Sequence, residues 1–177
     1  MGDFTALERS LVDLVKEQQA KLGYRKETVS LYYPLSTLNH FFQSNVTADV
    51  MQEMLKAFAG SVKERLGEIK ITHQGERFCF RLSENMSEYV HSRMKENEFI
   101  KELVKLVSGH GVTIEQVKEL FYSYSDRVEY ERIDNGEFDY MLRFEECDED
   151  RYYYCFKDEG CHMIYHRFLP EDYRELL

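Results

Sequence analysis

The residues best suited to chemistry in this sequence are thiols and imidazoles near its C-terminal end. They form a C-x5-C-H-x3-H array made of Cys155, Cys161, His162 and His166. Thiolate and imidazole are the ligands that zinc prefers, so the array is a candidate metal site. Cys161 and His162 are adjacent on a predicted strand, however, and side chains of adjacent strand residues point to opposite faces. We therefore predict that the chain holds no metal, and we assign it no cofactor.

A second candidate for chemistry is Cys79, which lies between Arg77 and Arg81 on the polar side of a predicted strand. Neighbouring cations favour the reactive thiolate, but nucleophilic catalysis also needs a base that a third group orients. No pattern supplies that base, since His110 stands between two glycines of a predicted loop. Phosphate-cradling glycine loops, HExxH and GxSxG motifs are absent from the sequence. We therefore predict no catalytic residues.

The composition indicates a folded protein without a membrane segment. With 177 residues, of which 43% are hydrophobic and 14% aromatic, the chain can bury a core of ordinary size. No apolar run approaches the ~20 residues of a membrane span. The first ten residues, MGDFTALERS, lack the basic start and apolar middle of a signal peptide. We expect a cytoplasmic protein, whose four cysteines are free thiols.

The charge of the chain is unevenly distributed. Residues 1–85 carry 11 basic and 11 acidic side chains, whereas residues 86–177 carry 12 and 22. The formal charge of −10 therefore belongs entirely to the second half of the sequence. An acidic half repels phosphate backbones and favours solubility or a basic partner.

The stretch 47–82 combines one long amphipathic helix with a tight hairpin. Its apolar residues first recur at steps of three and four, and Gly67 stands where a left-handed C-cap is expected. This spacing predicts a helix over residues 48–66. Strict alternation of apolar and polar residues in 68–72 and 77–82 then predicts a hairpin with one apolar face.

The elements before this stretch complete an order that resembles the winged-helix superfamily over residues 4–82. A helical stripe, a short strand stopped by Pro34 and a second short helix precede the long helix and its hairpin. The resemblance implies a small DNA-binding or protein-binding module. The segment Lys21–Asn39, KLGYRKETVSLYYPLSTLN, is also similar to an uncharacterised domain family of Gram-positive gut bacteria. That second resemblance implies no site residues.

The second half repeats part of this pattern. Three helical segments follow Ser83, the last of them with a capping box at Thr113 and Gln116. Asp134-Asn135-Gly136 then predicts a hairpin turn, because these residues tolerate positive φ. The helix and hairpin of residues 113–144 match those of residues 47–82, which suggests a duplicated winged-helix module. A single α+β domain with a helical layer on an antiparallel sheet explains the same pattern.

The predicted fold class is α+β, with helices packed on antiparallel hairpins. Residues 1–83 are predicted to form a winged-helix-like module. Residues 84–177 are predicted to form an acidic half of helices and a meander of hairpins, ending in a short helix after Pro170. The alternative is one α+β domain spanning residues 1–177.

The last predicted hairpin is dense in tyrosine, which favours an interaction surface made of Tyr152, Tyr153, Tyr154 and Tyr165. Consecutive tyrosines place aromatic groups on both faces of one strand, and tyrosine is enriched at protein interfaces. An α+β core covered on both sides explains them equally well. We predict a non-enzymatic, cytoplasmic protein-interaction module that binds another protein or itself.

Two alternatives to this function stay open, a DNA-binding winged-helix regulator and a small enzyme of unknown reaction. A reading helix presents cations or amides near its N-terminal end, whereas the predicted helix 48–66 presents Asp49 and Glu53 there. The pattern therefore disfavours nucleic acid as a partner. A basic rim could still form from Arg25, Lys26, Lys70, Arg77 and Arg81.

Overall fold

The computed structural model describes residues 4–177 and divides into two compact units. The first unit ends at Asn97, and the second is Glu98–Leu177. Each unit combines helices with one antiparallel sheet, so the predicted α+β class is confirmed. The boundary lies beyond the predicted one at Ser83, because the helix Glu84–Arg93 buries Met86 and Val90 in the core of the first unit. That the two units are separate folding domains stays a prediction.

The first unit contains four helices and three strands among its described residues. In chain order they are α1 (Thr5–Leu22), β1 (Val29–Pro34), α2 (Leu35–Phe41), α3 (Ala48–Leu66), β2 (Ile69–Gln74), β3 (Arg77–Leu82) and α4 (Glu84–Arg93). The predicted bounds of α3 are confirmed, and Gly67 adopts the positive φ of 83° that was expected of its C-cap. Pro34 ends β1 as predicted, and α2 begins directly after it.

The sheet of the first unit has the strand order β1-β3-β2, with both pairs antiparallel. Residues of one face, among them Phe78, Phe80 and Leu82, are fully buried against the four helices. The opposite face carries the alternate residues of the same strands and is open to solvent. The helices thus cover one side of the sheet only.

The second unit contains three helices and four strands. They are α5 (Glu98–Val107), α6 (Ile114–Tyr124), β4 (Val128–Arg132), β5 (Tyr140–Phe144), β6 (Tyr153–Asp158), β7 (Met163–Phe168) and α7 (Pro170–Leu176). The strands follow the order β4-β5-β6-β7, which is the predicted meander. The capping box of α6 is confirmed, since the Gln116 amide donates to Thr113 Oγ1 and the Thr113 amide donates to Gln116 Oε1.

Helices cover both faces of the second sheet. Phe99 of α5 and Phe121 of α6 pack edge-on against Tyr154, with ring centroids 5.6 and 5.2 Å from it. On the other face, Tyr173 of α7 stacks on Tyr153 at 4.2 Å and buries Cys155. The consecutive aromatic residues of β6 therefore pack against helices on both faces of the sheet.

The helix-hairpin units of the two halves share their local order but differ in how the third strand joins them. In the first unit the strand that pairs with the end of the hairpin is β1, which precedes α3. In the second unit that strand is β6, which follows the hairpin. If the second unit were a tandem copy of the whole first module, its third strand would also precede the helix and hairpin.

No helix among residues 4–177 is long and apolar enough to cross a membrane.

Candidate interaction surface

The four tyrosines predicted to form an interaction surface lie mostly in the interior of the second unit. Tyr152, Tyr154 and Tyr165 are 7%, 0% and 8% exposed, and Tyr153 is half-buried beneath α7. Aromatic side chains of α5 and α6 pack on Tyr154, and Tyr173 of α7 stacks on Tyr153. Tyr165 lies 6.1 Å from Phe156, ring centre to ring centre. This is the covered α+β core that the sequence left open as the alternative.

Polar contacts hold these tyrosines in place. The Tyr154 hydroxyl donates a hydrogen bond to Asp150 Oδ2 at 2.6 Å, and the Arg167 guanidinium lies 4.2 Å from the centre of the Tyr152 ring. Burial, together with the negative charge of Asp150, raises the pKa of Tyr154 well above its usual range. These contacts are typical of a satisfied core network.

The structure places the cysteines and histidines of the candidate metal array in different surroundings. Cys155 is fully buried under α7, whereas Cys161 and His162 are exposed in the turn before β7. His166 is the register partner of Cys155 across the β6-β7 pair. Nowhere in the part of the chain that the structure describes could three His, Cys, Asp or Glu residues hold a metal ion together.

Two further candidates from the sequence also lack catalytic surroundings. The rings of His110 and His162 lie 4.8 Å apart, where the Gly111 amide donates to the Cys161 carbonyl at 3.0 Å. No carboxylate orients this pair among the described contacts. Cys79 lies on the open face of the first sheet, and its neighbours are cations and hydroxyls instead of a base.

The open face of the first sheet brings together the basic residues of two strands. Its outward residues form three rows across the strands β1, β3 and β2, which are Ser30-Arg81-Lys70, Tyr32-Cys79-Thr72 and Pro34-Arg77-Gln74. We call these nine residues the basic sheet face. Eight of them are exposed and Cys79 is half-buried. The face contains three cations and no acid.

The cations of the basic sheet face are unneutralised. Among the described residues, Lys70, Arg77 and Arg81 form no ion pair, and Arg77 instead lies over the Tyr32 ring at 4.9 Å. Lys70 and Arg81 are direct register partners, and like charges opposite each other on a sheet destabilise it. A bound anion would remove that repulsion, and the 56% exposed Tyr32 would add apolar contact area beside it.

The outward side of α3 has a different chemistry. Lys56 is engaged by Glu53 at 2.6 Å, and the Gln52 amide donates to the Ile71 carbonyl at 2.9 Å. Asp49 and Val50 are exposed at the N-terminal end, where a DNA-reading helix would present cations or amides. The outward side of α3 therefore carries both acidic and basic side chains, and its charges are mostly neutralised.

A shallow groove of about 340 Å³ lies between the end of α3 and α4. Its lining is polar, and two of its charges are paired with residues outside it, Arg65 with Glu8 and Glu88 with Lys26. Such a groove lacks the apolar walls of a typical small-molecule site.

Sequence alternation had predicted part of the basic sheet face. Lys70, Arg77 and Arg81 were expected on the polar side of the hairpin, and the structure places them there. Arg25 and Lys26 lie instead in the loop before β1, and Lys26 pairs with Glu88. Tyr32 was missed, because its position depends on β1 pairing with β3.

A family model described as "Domain of unknown function, E. rectale Gene description (DUF3877)" matches residues 4–177. The match agrees with the resemblance of Lys21–Asn39 to an uncharacterised family. No curated protein and no solved structure matches the chain. The winged-helix resemblance therefore stays a prediction from the order of the elements.

Proposed function

The chain belongs to the DUF3877 family of unknown function, and we propose that it is a non-enzymatic protein-interaction module whose first unit binds an acidic protein segment. The observation that carries the proposal is the basic sheet face, with three cations and an exposed tyrosine on one rigid sheet. Tyrosine and arginine are enriched at protein interfaces. The four free cysteines favour a cytoplasmic location.

The winged-helix relationship of the first unit is part of this proposal. Its element order, with α3 followed by the hairpin of β2 and β3, and its sheet order β1-β3-β2 support it. In our proposal the unit is a winged-helix derivative that uses the open face of its sheet for binding. In this proposal α3 does not read DNA, unlike the recognition helix of helix-turn-helix proteins.

The size of the basic sheet face favours a protein over a nucleic acid. DNA-binding proteins commonly neutralise about 6–10 phosphates, and each one contributes to their salt-dependent affinity. Three cations fall short of this number, and α3 adds only Lys63 as an outward cation without an acidic partner among the described ion pairs. Three cations are sufficient for a short acidic segment.

The interaction role predicted for Tyr152, Tyr153, Tyr154 and Tyr165 stays a prediction. Of the four, Tyr153 is the least buried, and it is already stacked on Tyr173. The other three are buried, so a partner could reach them only after neighbouring parts of the second unit had moved. The basic sheet face needs no such rearrangement.

Fluorescence anisotropy with a labelled peptide of alternating glutamate and serine tests the proposal. The triple variant Lys70→Glu/Arg77→Glu/Arg81→Glu should bind the peptide at least ~10-fold more weakly than the wild type, because it reverses every charge of the face. A matched control in the same unit is Lys56→Glu/Lys63→Glu/Arg93→Glu, which makes the same change in net charge. Its affinity should stay within about twofold of the wild type.

Equal losses in the two triple variants would contradict the proposal, because they would show that only net charge matters. Absence of peptide binding by the wild type at ~50 mM salt, where surface charge interactions are strongest, would also contradict it.

A further inference from the structure

We infer that the acidic segment bound by the basic sheet face is the loop between β5 and β6 of a second copy of this chain. The inference rests on the proposed function and names the partner of the same surface. Each chain then has both the acidic loop and the basic sheet face that binds it, so the protein self-associates.

The loop 145–150 contains five acids in six residues. Glu146 pairs with Arg127, and Asp150 accepts the Tyr154 hydroxyl. Within the described part of the chain, the remaining acids form no ion pair, and they are exposed. These three acids are Glu145, Asp148 and Glu149. They equal in number the three unneutralised cations of the basic sheet face.

Both surfaces are ordered before they meet. The loop is fixed at its start by the Glu145 amide, which donates to the Arg127 carbonyl at 3.0 Å, and at its end by the Asp150-Tyr154 hydrogen bond. The cations project from the central strand β3 and its neighbour β2. Preorganised partners lose little conformational entropy on binding, so even a few ion pairs can produce a measurable association.

The contact joins two different surfaces, so it is heterologous. Each copy carries one face and one loop. Further copies can therefore add head to tail. Because exposed ion pairs are individually weak, we expect a transient association with a Kd of about 100 μM.

Sedimentation equilibrium of the full chain at ~20–500 μM tests this inference, a range that brackets the expected Kd. The weight-average mass of the wild type should rise with protein concentration and fall back towards the monomer value at ~0.5 M salt. Two variants should remain monomeric. They are the face variant Lys70→Glu/Arg77→Glu/Arg81→Glu and the loop variant Glu145→Lys/Asp148→Lys/Glu149→Lys.

An equimolar mixture of the two variants should associate again. The acidic loop of the face variant meets the native face of the loop variant, and the two reversed surfaces are also complementary. Control variants with the same charge changes elsewhere should self-associate like the wild type; they are Lys56→Glu/Lys63→Glu/Arg93→Glu and Glu119→Lys/Asp126→Lys/Glu175→Lys. Should a triple variant fail to fold by circular dichroism, Arg81→Glu and Glu149→Lys repeat the mixing test with single exposed substitutions.

A wild type that is monomeric at ~500 μM, five times the expected Kd, would overturn the inference. A mixture of the face and loop variants that does not associate would overturn it too. If the wild type is monomeric and still binds the acidic peptide, only the second-copy inference fails. If it does not bind the peptide, the proposed function fails as well.

Discussion

At the scale of single residues, the second unit places two of its thiols in opposite environments. Cys155 lies wholly inside the second unit, whereas Cys161 is exposed in a turn only six residues later. Burial raises the pKa of the Cys155 thiol to about 12, so almost none of it is thiolate at neutral pH. The same core holds the buried hydroxyl of Tyr173.

We predict that iodoacetamide modifies Cys161 of the native protein at pH 8 and leaves Cys155 unmodified. The reason is that alkylation needs an accessible thiolate, which Cys155 provides only after unfolding. Peptide mass spectrometry over a time course measures both sites, and the same experiment in urea gives the unprotected rate. Similar rates at the two sites in native protein would contradict the buried position of Cys155.

Tyr173 gives a second prediction at this scale. Its hydroxyl is buried and has no hydrogen-bond partner among residues 4–177, which costs about 1–3 kcal/mol. Tyr173→Phe should therefore leave the free energy of unfolding unchanged or raise it by ~1 kcal/mol, as urea denaturation at pH 7 would show. A loss above ~2 kcal/mol would mean that the hydroxyl has a partner.

The alkaline stability of the second unit follows from the same residues. The pKa of Tyr173 is raised from 10.0 to about 12 and that of Cys155 from 9.0 to about 12, chiefly by burial. Both groups are therefore protonated in the folded state at a pH where the unfolded chain has lost the protons. Their contribution to stability is full below pH ~9 and is lost between pH ~9 and ~12. In Tyr173→Phe the decline above pH ~10 should be smaller.

At the scale of elements, the junction between α3 and its hairpin depends on Gly67. A methyl group at Gly67 would come within 2.6 Å of Ser83 Oγ and 2.8 Å of Asn85 Cβ, and the φ of 83° is strained for other residues. Gly60, in the middle of the same helix, has nothing within 4 Å of such a methyl group. The two glycines thus form a matched pair in one helix.

We predict that Gly67→Ala lowers the free energy of unfolding by more than ~1 kcal/mol and that Gly60→Ala raises it by ~0.5–1 kcal/mol. The first substitution introduces a clash and backbone strain, whereas the second improves helix propensity at an open position. Thermal unfolding monitored by circular dichroism compares both with the wild type. Equal effects of the two substitutions would show that the junction is not tightly packed.

Most elements were predictable because their signals are local. The bounds of α3 and the capping box at Thr113 depend on residues within one or two helical turns of each other. The meander of the second sheet depends on the connections between successive strands. The surroundings of the tyrosines were not predictable. A strand with aromatic residues on both faces fits an interface or two covering layers, and the sequence of the strand does not show which helices pack on its two faces.

The basic sheet face was likewise predictable from the sequence only in part. The alternation of the hairpin was enough to place Lys70, Arg77 and Arg81 on one side. The absence of neutralising acids among the described contacts, and the arrival of Tyr32 beside Arg77, depend on the third strand of the sheet. The spacing of residues along the sequence predicts neither the missing acids nor the position of Tyr32.

At the scale of the whole molecule, the charge of −10 resides in residues 86–177, while the basic sheet face belongs to the other half. We predict that a labelled random-sequence duplex at ~150 mM salt shows no binding tighter than ~10⁻⁴ M, the weak limit for genuine DNA-binding proteins. The reason is that three cations, in a chain whose second half carries the whole net negative charge, neutralise too few phosphates. Micromolar binding that Lys63→Glu abolishes would instead support DNA reading by α3.

The most direct test of the central claim is an amide chemical-shift map of the full chain titrated with the glutamate-serine peptide. We predict that the shifted amides cluster on the three strands of the basic sheet face, around Tyr32, Lys70, Arg77 and Arg81, and that the amides of β6 and β7 stay unchanged. Shifts that centre on Tyr152–Tyr154 and Tyr165, or on the outward side of α3, would contradict the account.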